Sequence, residues 1–354
     1  MNITKEVIKK TEKEYRAIND KLSYSSIKMF NSNRKKFYKK FILGEKIEEK
    51  TNAGMVMGNL VDTMLLQPEL LDSRYTINEC NAPKGQVLQL CDVLYQCTLK
   101  YVKDGVCEED FDTIFQEAFD ICKKDDLFKG KDLKKVLELF VTSDKDGIVP
   151  KDYYNNCRNN FEKITVSIDT MTIAEKICNA LKESPYTREY ILNENGEYHN
   201  QLAIEFEVKG VKMKSLLDKV KIDHEKKEIT PLDLKVVYSI EEFQWQYFDK
   251  EYWIQLGVYS LALESWRDEY FPGYKVMDFE FIVGESALGN TPMIYKSTVL
   301  NLNQALEGFF LKNGNFQKGV YELINEIAWH TQTGNWQESY ECNKNNGRII
   351  LSTF

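Results

Sequence analysis

The sequence contains few residues of the kind that bind soft metals. Its 354 residues include three histidines, and its eight cysteines form no C-x-x-C pair, so their spacing fits neither a zinc ribbon nor a ferredoxin-type cluster. We interpret the cysteines as reduced thiols of a cytoplasmic protein and expect no iron–sulfur cluster. Any metal should therefore be a hard cation held by carboxylates.

Long apolar runs are also lacking. No stretch approaches about 18 consecutive apolar residues, so the sequence predicts no membrane-spanning helix and no membrane partner. The first residues, MNITKEVIKK, are charged and lack the apolar core of a secretory signal, so we expect no export signal. The net charge of −8 argues mildly against a protein that coats nucleic acid, although an enzyme can still carry a local basic cleft.

The residues that are present favour an α/β protein. Helical spacing dominates up to about residue 185, and alternating strand patterns begin near residue 200. Gly54 and Gly58 lie four apart on a predicted helix at about 54–67, where small residues let a helix pack closely or let a ligand approach. We expect one domain in four parts: N-terminal helices over 1–75, a helical insertion over 80–185, a sheet core over 200–300 and a C-terminal helix over 301–354.

The sheet core begins with a predicted hairpin. QLAIEFEVKG alternates apolar and polar residues, VKMKSLLDKVKI follows, and Gly210 between them is typical of a tight turn. EITPLDLKVV is predicted as a third strand, followed by a helix at about 249–270 and strands at MDFEFIVGE and MIYKSTVL. The last predicted element is a helix, NLNQALEGFFLKNGNFQKGVYELINEIAWH, with a break at Asn313-Gly314. This order favours a mixed central sheet flanked by helices.

Two charges interrupt the third strand. Asp233 and Lys235 lie two residues apart in the apolar run PLDLKVV, so in a strand they share one face, and Asp218 ends the apolar part of the preceding strand. Neighbouring strands lie about 4.8 Å apart, so the two carboxylates can share one Mg²⁺. The ammonium beside them can stabilise a hydroxide nucleophile or the charge on a phosphorane-like transition state. This set of groups predicts phosphodiester hydrolysis, although a D-x-K triplet alone also fits an exposed, salt-bridged strand.

A wider pattern accompanies these three residues. Gln255 and Tyr259 lie four apart on the next predicted helix, on one face. A first aspartate, then D-x-K, then Q-x-x-x-Y resembles the PD-(D/E)xK nuclease superfamily, specifically its exonuclease VIII (RecE)-like and RecB-like branch. LSYSSIKMF, FYKKFILGE and MGNLVDTMLLQPELL resemble N-terminal segments of that branch, so the likeness covers about 22–75 and 200–265. It implies an α/β fold with a restriction-endonuclease-like core, to which the helical insertion is added.

The resemblance also implies a set of metal ligands. Asp218 and Asp233 would bind Mg²⁺ or Mn²⁺, with the carbonyl oxygen of Leu234 as a further ligand. Asp62 stands where the branch usually has the histidine of a G-x-x-x-H helix, and it would either act as a carboxylate ligand or be an ordinary surface residue. Glu205 would either support the metal or face solvent from a strand edge.

Candidate DNA contacts lie close to these residues in the sequence. Lys212, Lys214 and Lys219 alternate, or nearly so, along the strand that leads to the first aspartate, which favours phosphate contact by at least one of them. Tyr252 fits the branch's Y-x-x-Q-x-x-x-Y helix. Its ring can stack on a base, although aromatic residues at helical spacing more often belong to a core.

We therefore expect a Mg²⁺-dependent deoxyribonuclease, an exonuclease that acts on double-stranded DNA ends in recombination or repair. In this interpretation Lys235 orients or activates the attacking water, and Gln255 and Tyr259 hold the site or contact the substrate strand. The branch further implies 5′ polarity, a homo-oligomeric ring and a single-strand annealing protein as partner. Two alternatives stay open: a DNA-binding protein on a catalytically degenerate nuclease fold, and a single-strand or structure-specific nuclease.

Overall fold

The computed structural model describes residues 10–47, 52–78, 80–103, 106–160 and 162–348. It forms two compact units, one made of residues 1–66 with 177–354 and the other of residues 67–176. Each unit contains its own cluster of buried hydrophobic residues. None of the described helices is long and apolar enough to cross a bilayer. The expectation about an export signal concerns the first residues of the sequence, of which 1–9 lie outside the described residues.

The first unit begins with helices whose starts are fixed by short polar side chains. The hydroxyl groups of Thr11 and Ser23 each accept a hydrogen bond from a backbone N–H of the following turn, and so cap the starts of the first two helices. The elements of this stretch are α1 (Glu12–Ala17), α2 (Tyr24–Ser32), α3 (Arg34–Phe37), a π-helix (Tyr38–Ile42) and α4 (Ala53–Leu66). The predicted helix at 54–67 is confirmed by α4.

The second unit is mostly helical, because its helices are amphipathic. In the helix that begins at Phe111, the buried residues recur at one-turn spacing and face a shared core. The elements are a 3₁₀ turn (Pro68–Leu70), α5 (Leu71–Arg74), β1 (Tyr75–Asn78), α6 (Gln86–Lys100), β2 (Val102–Lys103), β3 (Val106–Cys107), α7 (Phe111–Lys124), α8 (Leu133–Val141), α9 (Pro150–Asn159) and β4 (Ile164–Ser167). Strands β1 and β4 pair in parallel, and β2 and β3 pair antiparallel. Helix α10 (Ile168–Glu183) then returns the chain to the first unit.

The rest of the first unit contains the large sheet and the helices that cover it. Its elements are α11 (Arg188–Ile191), β5 (Glu197–Val208), β6 (Val211–Asp223), β7 (Glu228–Val237), a 3₁₀ turn (Ile240–Glu242), α12 (Phe243–Asp249), α13 (Tyr252–Tyr270), β8 (Lys275–Val276), β9 (Glu280–Glu285), β10 (Met293–Lys296), α14 (Val299–Glu307), β11 (Gly308–Phe310), β12 (Phe316–Lys318), α15 (Val320–Thr333) and α16 (Tyr340–Lys344).

The large sheet has six strands in mixed orientation. The order is β10-β9-β7-β6-β5, and β8 also pairs with β7. Strands β5, β6 and β7 are successively antiparallel, whereas β7 pairs with β9 in parallel. A parallel pair needs a crossover connection, and α13 lies within it. This mixed, helix-flanked sheet is the α/β architecture that the sequence predicts.

Local sequence explains why the two longest strands pair. Alternating residues of β5 are buried, from Leu202 to Val208, as expected for a strand with one face on a core. Gly210 has φ +81°, a conformation that glycine adopts readily, and it closes the predicted hairpin between β5 and β6. The hairpin prediction is thus confirmed.

The predicted C-terminal helix is wrong in its middle part. Between α14 and α15 the chain forms the β11–β12 hairpin, with Gly308 at φ +97° and Gly314 at φ +81°. An Asn-Gly pair between aromatic segments is a hairpin signal, and here it outweighs helical periodicity. The segment 301–354 is therefore two main helices separated by a hairpin, and its residues 349–354 lie outside the described part of the chain.

Candidate active site

The candidate site lies where two strands of the large sheet separate. The ladder between β6 and β7 runs from the Asp223–Glu228 pair to the Lys219–Leu232 pair and ends there, while β7 continues beside β9. The next residue on each strand is an aspartate, so separation of the strands places two carboxyl groups side by side.

The Asp218 carboxylate accepts a hydrogen bond from a backbone N–H of β7, at a point where β7 no longer pairs with β6. Its Oδ2 accepts a hydrogen bond from the N–H of Leu234 at 3.2 Å. A buried backbone N–H without a partner would be costly, so this contact stabilises the gap between the strands. It also fixes the Asp218 side chain on the face that carries Asp233.

Asp233 is fully buried and has a partner for each carboxylate oxygen. Its Oδ1 accepts a hydrogen bond from Nε2 of Gln255 at 2.6 Å, and its Oδ2 forms an ion pair with the ammonium of Lys235. Lys235 Nζ also lies 5.0 Å from the centre of the Tyr252 ring, within cation–π distance. Burial alone would lower the pKa of Lys235, but the carboxylates of Asp233 and Asp218 raise it above its ordinary value, so the group stays charged.

Asp62 on α4 belongs to the same electrostatic group. Burial raises the pKa of Asp62 to about 7; the Lys235 ammonium opposes this rise and the Asp233 carboxylate adds to it. The pKa of Asp218 is raised well above its usual range by burial and then by the charges of Asp233 and Asp62. Three carboxyl groups therefore interact electrostatically beside the half-buried ammonium of Lys235.

This excess of acid fits a hard divalent cation, because carboxylate oxygens are the ligands such a cation prefers. Among the described residues, however, no group of three or more His, Cys, Asp or Glu side chains is placed to hold a metal ion. Asp218 and Asp233 would be the two carboxylates available to such a cation. This number suits Mg²⁺, which commonly takes one or two carboxylates and completes its shell with water and substrate oxygens.

Strands supply one side of the site, and helix α13 supplies the side opposite them. Gln255 and Tyr259 lie one turn apart on it, and both are buried. Burial raises the pKa of Tyr259, as do the nearby carboxylates of Asp218 and Asp233, so the phenol remains protonated. The tyrosine hydroxyl is therefore a neutral group within the field of the two acids.

Other predicted residues lie elsewhere or already have partners. Glu205 forms ion pairs with Lys10 and Lys21. The Lys214 ammonium donates to the carbonyl oxygens of Tyr15 at 3.0 Å and Ile18 at 2.5 Å. Metal support by this glutamate and phosphate contact by this lysine therefore stay predictions, and the first unit already uses both charges internally.

Lys219 and Lys212 differ sharply in exposure. Lys219 is 1% exposed, and its ammonium donates to the side-chain oxygens of Asn193 and of Asn200, the latter at 2.9 Å. Burial lowers the pKa of Lys219 to about 8. Lys212 is exposed on the same strand, so it is the more accessible of the two as a phosphate contact.

The structure also brings helix α2 to the site, which sequence reasoning missed. The Tyr24 ring meets the Tyr259 ring edge-on, with 6.3 Å between centroids. Burial raises the pKa of Tyr24, whereas the nearby Lys235 ammonium lowers it. The segment LSYSSIKMF was singled out through resemblance alone, because no periodic pattern links residues more than 200 positions apart.

Comparisons with known proteins add little to these observations. No protein-family model and no curated protein matches the chain. A crystal structure named "Putative exonuclease" from Eubacterium rectale is similar over 98% of this chain and 96% of that chain, with 14% identity and a TM-score of 0.45. A likeness at this level supports no conclusion about fold or activity, so the functional case depends on the residues of the site.

Proposed function

We propose that this chain is a metal-dependent deoxyribonuclease built on the restriction-endonuclease-like core that its motifs imply. The observation that carries the proposal is the juxtaposition of Asp218 and Asp233 at the separation of β6 and β7. The ammonium of Lys235 lies beside them on the same face of a buried strand. Asp233 is fully buried and Asp218 and Lys235 are half-buried, and grouping such charges is costly unless they are paired or have a function. Metal-dependent phosphodiester hydrolysis is a function that can use two carboxylates and an ammonium in this arrangement.

Each residue has a distinct role in the proposal. The carboxylates of Asp218 and Asp233 would hold Mg²⁺ or Mn²⁺, with the Leu234 carbonyl as a further ligand, and Asp62 would add negative charge beside them. When bound, the cation supplies positive charge and an activated water at neutral pH. Lys235 remains charged and stabilises negative charge that develops on the phosphate.

Gln255 and Tyr259 complete the proposed site from α13. Gln255 holds one oxygen of Asp233 and so limits rotation of that carboxylate. Tyr259 offers a protonated hydroxyl that can donate to the substrate. The proposed substrate is the end of double-stranded DNA, with Tyr252 and Lys212 as contacts. The 5′ polarity, the homo-oligomeric ring and the single-strand annealing partner stay predictions that rest on the resemblance.

The test uses three DNA substrates and matched aspartate variants. End-labelled linear duplex, nicked circle and single strand are incubated with Mg²⁺, Mn²⁺ or EDTA. We expect wild type to shorten linear duplex only with metal, and Asp233→Asn and Asp218→Asn to lose roughly 100-fold or more in rate. Asp223→Asn is the control, because this residue lies at the far end of β6 and its amide can keep the hydrogen bond to the Lys226 N–H. Ca²⁺ should support binding without turnover.

Failure of this assay has two informative forms. Internal cutting of the nicked circle, away from the nick, would exclude an exonuclease while keeping a nuclease. No metal-dependent product on any substrate would exclude both and favour the second candidate, a DNA-binding protein on a catalytically inactive nuclease fold. That candidate draws support from the absence of a three-ligand metal group among the described residues.

A further inference from the structure

The join between α12 and α13 contains a residue in the left-handed conformation. Glu251 has φ +53° and ψ +37°, a region that residues with a Cβ rarely adopt and that persists only where neighbours hold it. The residues that follow are the ones that reach the site. Tyr252 lies against Lys235, and Gln255 donates to Asp233. The direction in which α13 leaves Glu251 therefore decides where both side chains lie.

Helix α2 makes two hydrogen bonds to this join. The Lys28 ammonium donates to the carbonyl oxygen of Lys250 at 2.6 Å, and Nδ2 of Asn31 donates to Oε1 of Glu251 at 2.6 Å. Lys28 and Asn31 are three residues apart, so they share one face of α2. Lys250 follows α12 directly, and a positive charge is favourable at the C-terminal end of a helix.

Helix α2 is itself fixed to the core of the first unit. Ile27 and Phe30 are buried in that core, and Ser23 caps the start of the helix. One turn before Lys28, the Tyr24 ring packs against Tyr259 of α13. The helix thus offers a rigid frame beside the first turns of α13.

We infer that Lys28 and Asn31 are positioning residues that hold the join in its left-handed turn and so place Gln255 and Tyr252 at the site. The activity readout of this inference rests on the proposed function, whereas its structural readout does not. Misplacement of a catalytic group by about 1 Å costs roughly 100-fold in rate, so loosening of the join should reduce turnover more than substrate affinity.

The first test replaces the two donors. Lys28→Met and Asn31→Ala are compared with Lys28→Arg, which keeps a charged donor, and with Lys35→Met, which removes an exposed lysine of α3. Hydrogen exchange of residues 252–259 is measured together with kcat and KM on linear duplex. In Lys28→Met and Asn31→Ala only, we expect faster exchange there and a roughly 10- to 100-fold lower kcat. The rise in KM should be smaller, and it is expected because Tyr252 is a proposed DNA contact.

A second pair of variants tests the left-handed turn itself. Glu251→Gly and Glu251→Ala both remove the acceptor of Asn31, but glycine adopts positive φ without steric cost. We expect Glu251→Gly to retain more exchange protection in residues 252–259 than Glu251→Ala, and a roughly fivefold higher kcat.

The two readouts separate the inference from the proposed function. If wild type proves to have no nuclease activity, the proposed function fails and the exchange data alone decide the inference. Unchanged exchange over residues 252–259 in Lys28→Met and Asn31→Ala overturns it. So does a change confined to KM, or a loss of protection spread evenly over the first unit, since that would mean that the two donors only stabilise the fold.

Discussion

Asp233 shows how a buried charge is kept at a candidate site. Its carboxylate is held by an ammonium on the same strand and by an amide from α13, so one oxygen is ion-paired and the other accepts a hydrogen bond. Removing one partner of a buried ion pair leaves an uncompensated charge and costs about 3–5 kcal/mol. Loss of Lys235 would therefore mix catalytic and folding effects. Asp233→Asn likewise leaves the Lys235 ammonium without its partner. Asp218→Asn is the cleaner test, because its side-chain oxygen can still accept the hydrogen bond from the Leu234 N–H.

His330 is a second buried titratable residue, away from the acids of the site. It is fully buried between aromatic rings, with Phe30 edge-on and Trp336 stacked against it. Its Nδ1–H donates to the carbonyl oxygen of Asn335, and its Nε2 has no hydrogen-bond partner among the described residues. Protonation of Nε2 would bury an unpaired N–H, and burial accordingly lowers the pKa of His330.

This environment predicts acid sensitivity. The pKa of His330 is lower in the folded than in the unfolded protein, so the unfolded state binds the proton first, and stability is lost as pH falls below about 6.5. His330→Asn keeps a donor for Asn335 but cannot titrate. We expect its melting temperature to fall less between pH 8 and pH 5 than that of wild type. The pH dependence of the free energy of unfolding should differ between the two proteins by at most about 1.4 kcal/mol per pH unit. An equal fall in melting temperature in His330→Asn and wild type would contradict this.

At the residue scale, sequence reasoning succeeds where local rules apply. Asp233 and Lys235 share a face because strands alternate, and Asp218 is adjacent because the hairpin and the third strand set the register. It does not foresee the partners of Lys214, which are the carbonyl oxygens of Tyr15 and Ile18, and it leaves phosphate contact by Lys214 and Lys219 as a prediction. A lysine pattern on a strand cannot distinguish a phosphate contact from a buried hydrogen bond.

At the scale of elements, two glycines differ in whether the surrounding helices leave room for a side chain. A Cβ on Gly319, just before α15, would lie 2.2 Å from the carbonyl oxygen of Leu306 in α14, and the nearby atoms are backbone that cannot yield cheaply. A Cβ on Gly58, inside α4, would meet nothing within 4 Å. Close helix packing therefore explains the first glycine and does not explain the second.

The two glycines give opposite expectations for stability. Gly319→Ala should lower the free energy of unfolding by about 3 kcal/mol or more, because the methyl group overlaps backbone atoms. Gly58→Ala should raise it by about 0.5–1 kcal/mol, because alanine favours the helix and has room. Urea unfolding of the two variants beside wild type measures both values. A stable Gly319→Ala protein would show that α14 and α15 can separate freely, against the packing described here.

Helices and strands, like single residues, could be predicted from the sequence where their causes are local and not where they depend on distant parts of the chain. The β5–β6 hairpin and α4 could be predicted because their patterns are continuous and bounded by turn residues. The β11–β12 hairpin was obscured, because the apolar residues around it also fit a helix period. The strand separation at Asp218 was not predictable either, since it depends on β7 pairing with β9 beyond that point.

At the scale of the whole molecule, two separate cores suggest two units of stability. The core of the second unit is formed by buried residues of α6, α7, α8 and α9, and that of the first unit surrounds the large sheet. The residues that can report on unfolding, tryptophans and buried cysteines, are distributed unevenly between the two units. All five tryptophans lie in the first unit, whereas four of the five buried cysteines lie in the second: Cys91, Cys97, Cys122 and Cys157.

This distribution allows the two units to be followed separately during unfolding. We expect the urea transition measured by tryptophan fluorescence to differ in midpoint from that measured by thiol alkylation of the four buried cysteines, because each core can be lost independently. Mass spectrometry identifies each alkylated cysteine, and Cys178, buried in the first unit, is the internal control that should follow the fluorescence curve. If Mg²⁺ binds at Asp218 and Asp233, it should shift the fluorescence and Cys178 transitions to higher urea and leave the other four cysteines unchanged. Coincident curves for all probes, with or without Mg²⁺, would mean that the chain unfolds as one cooperative body.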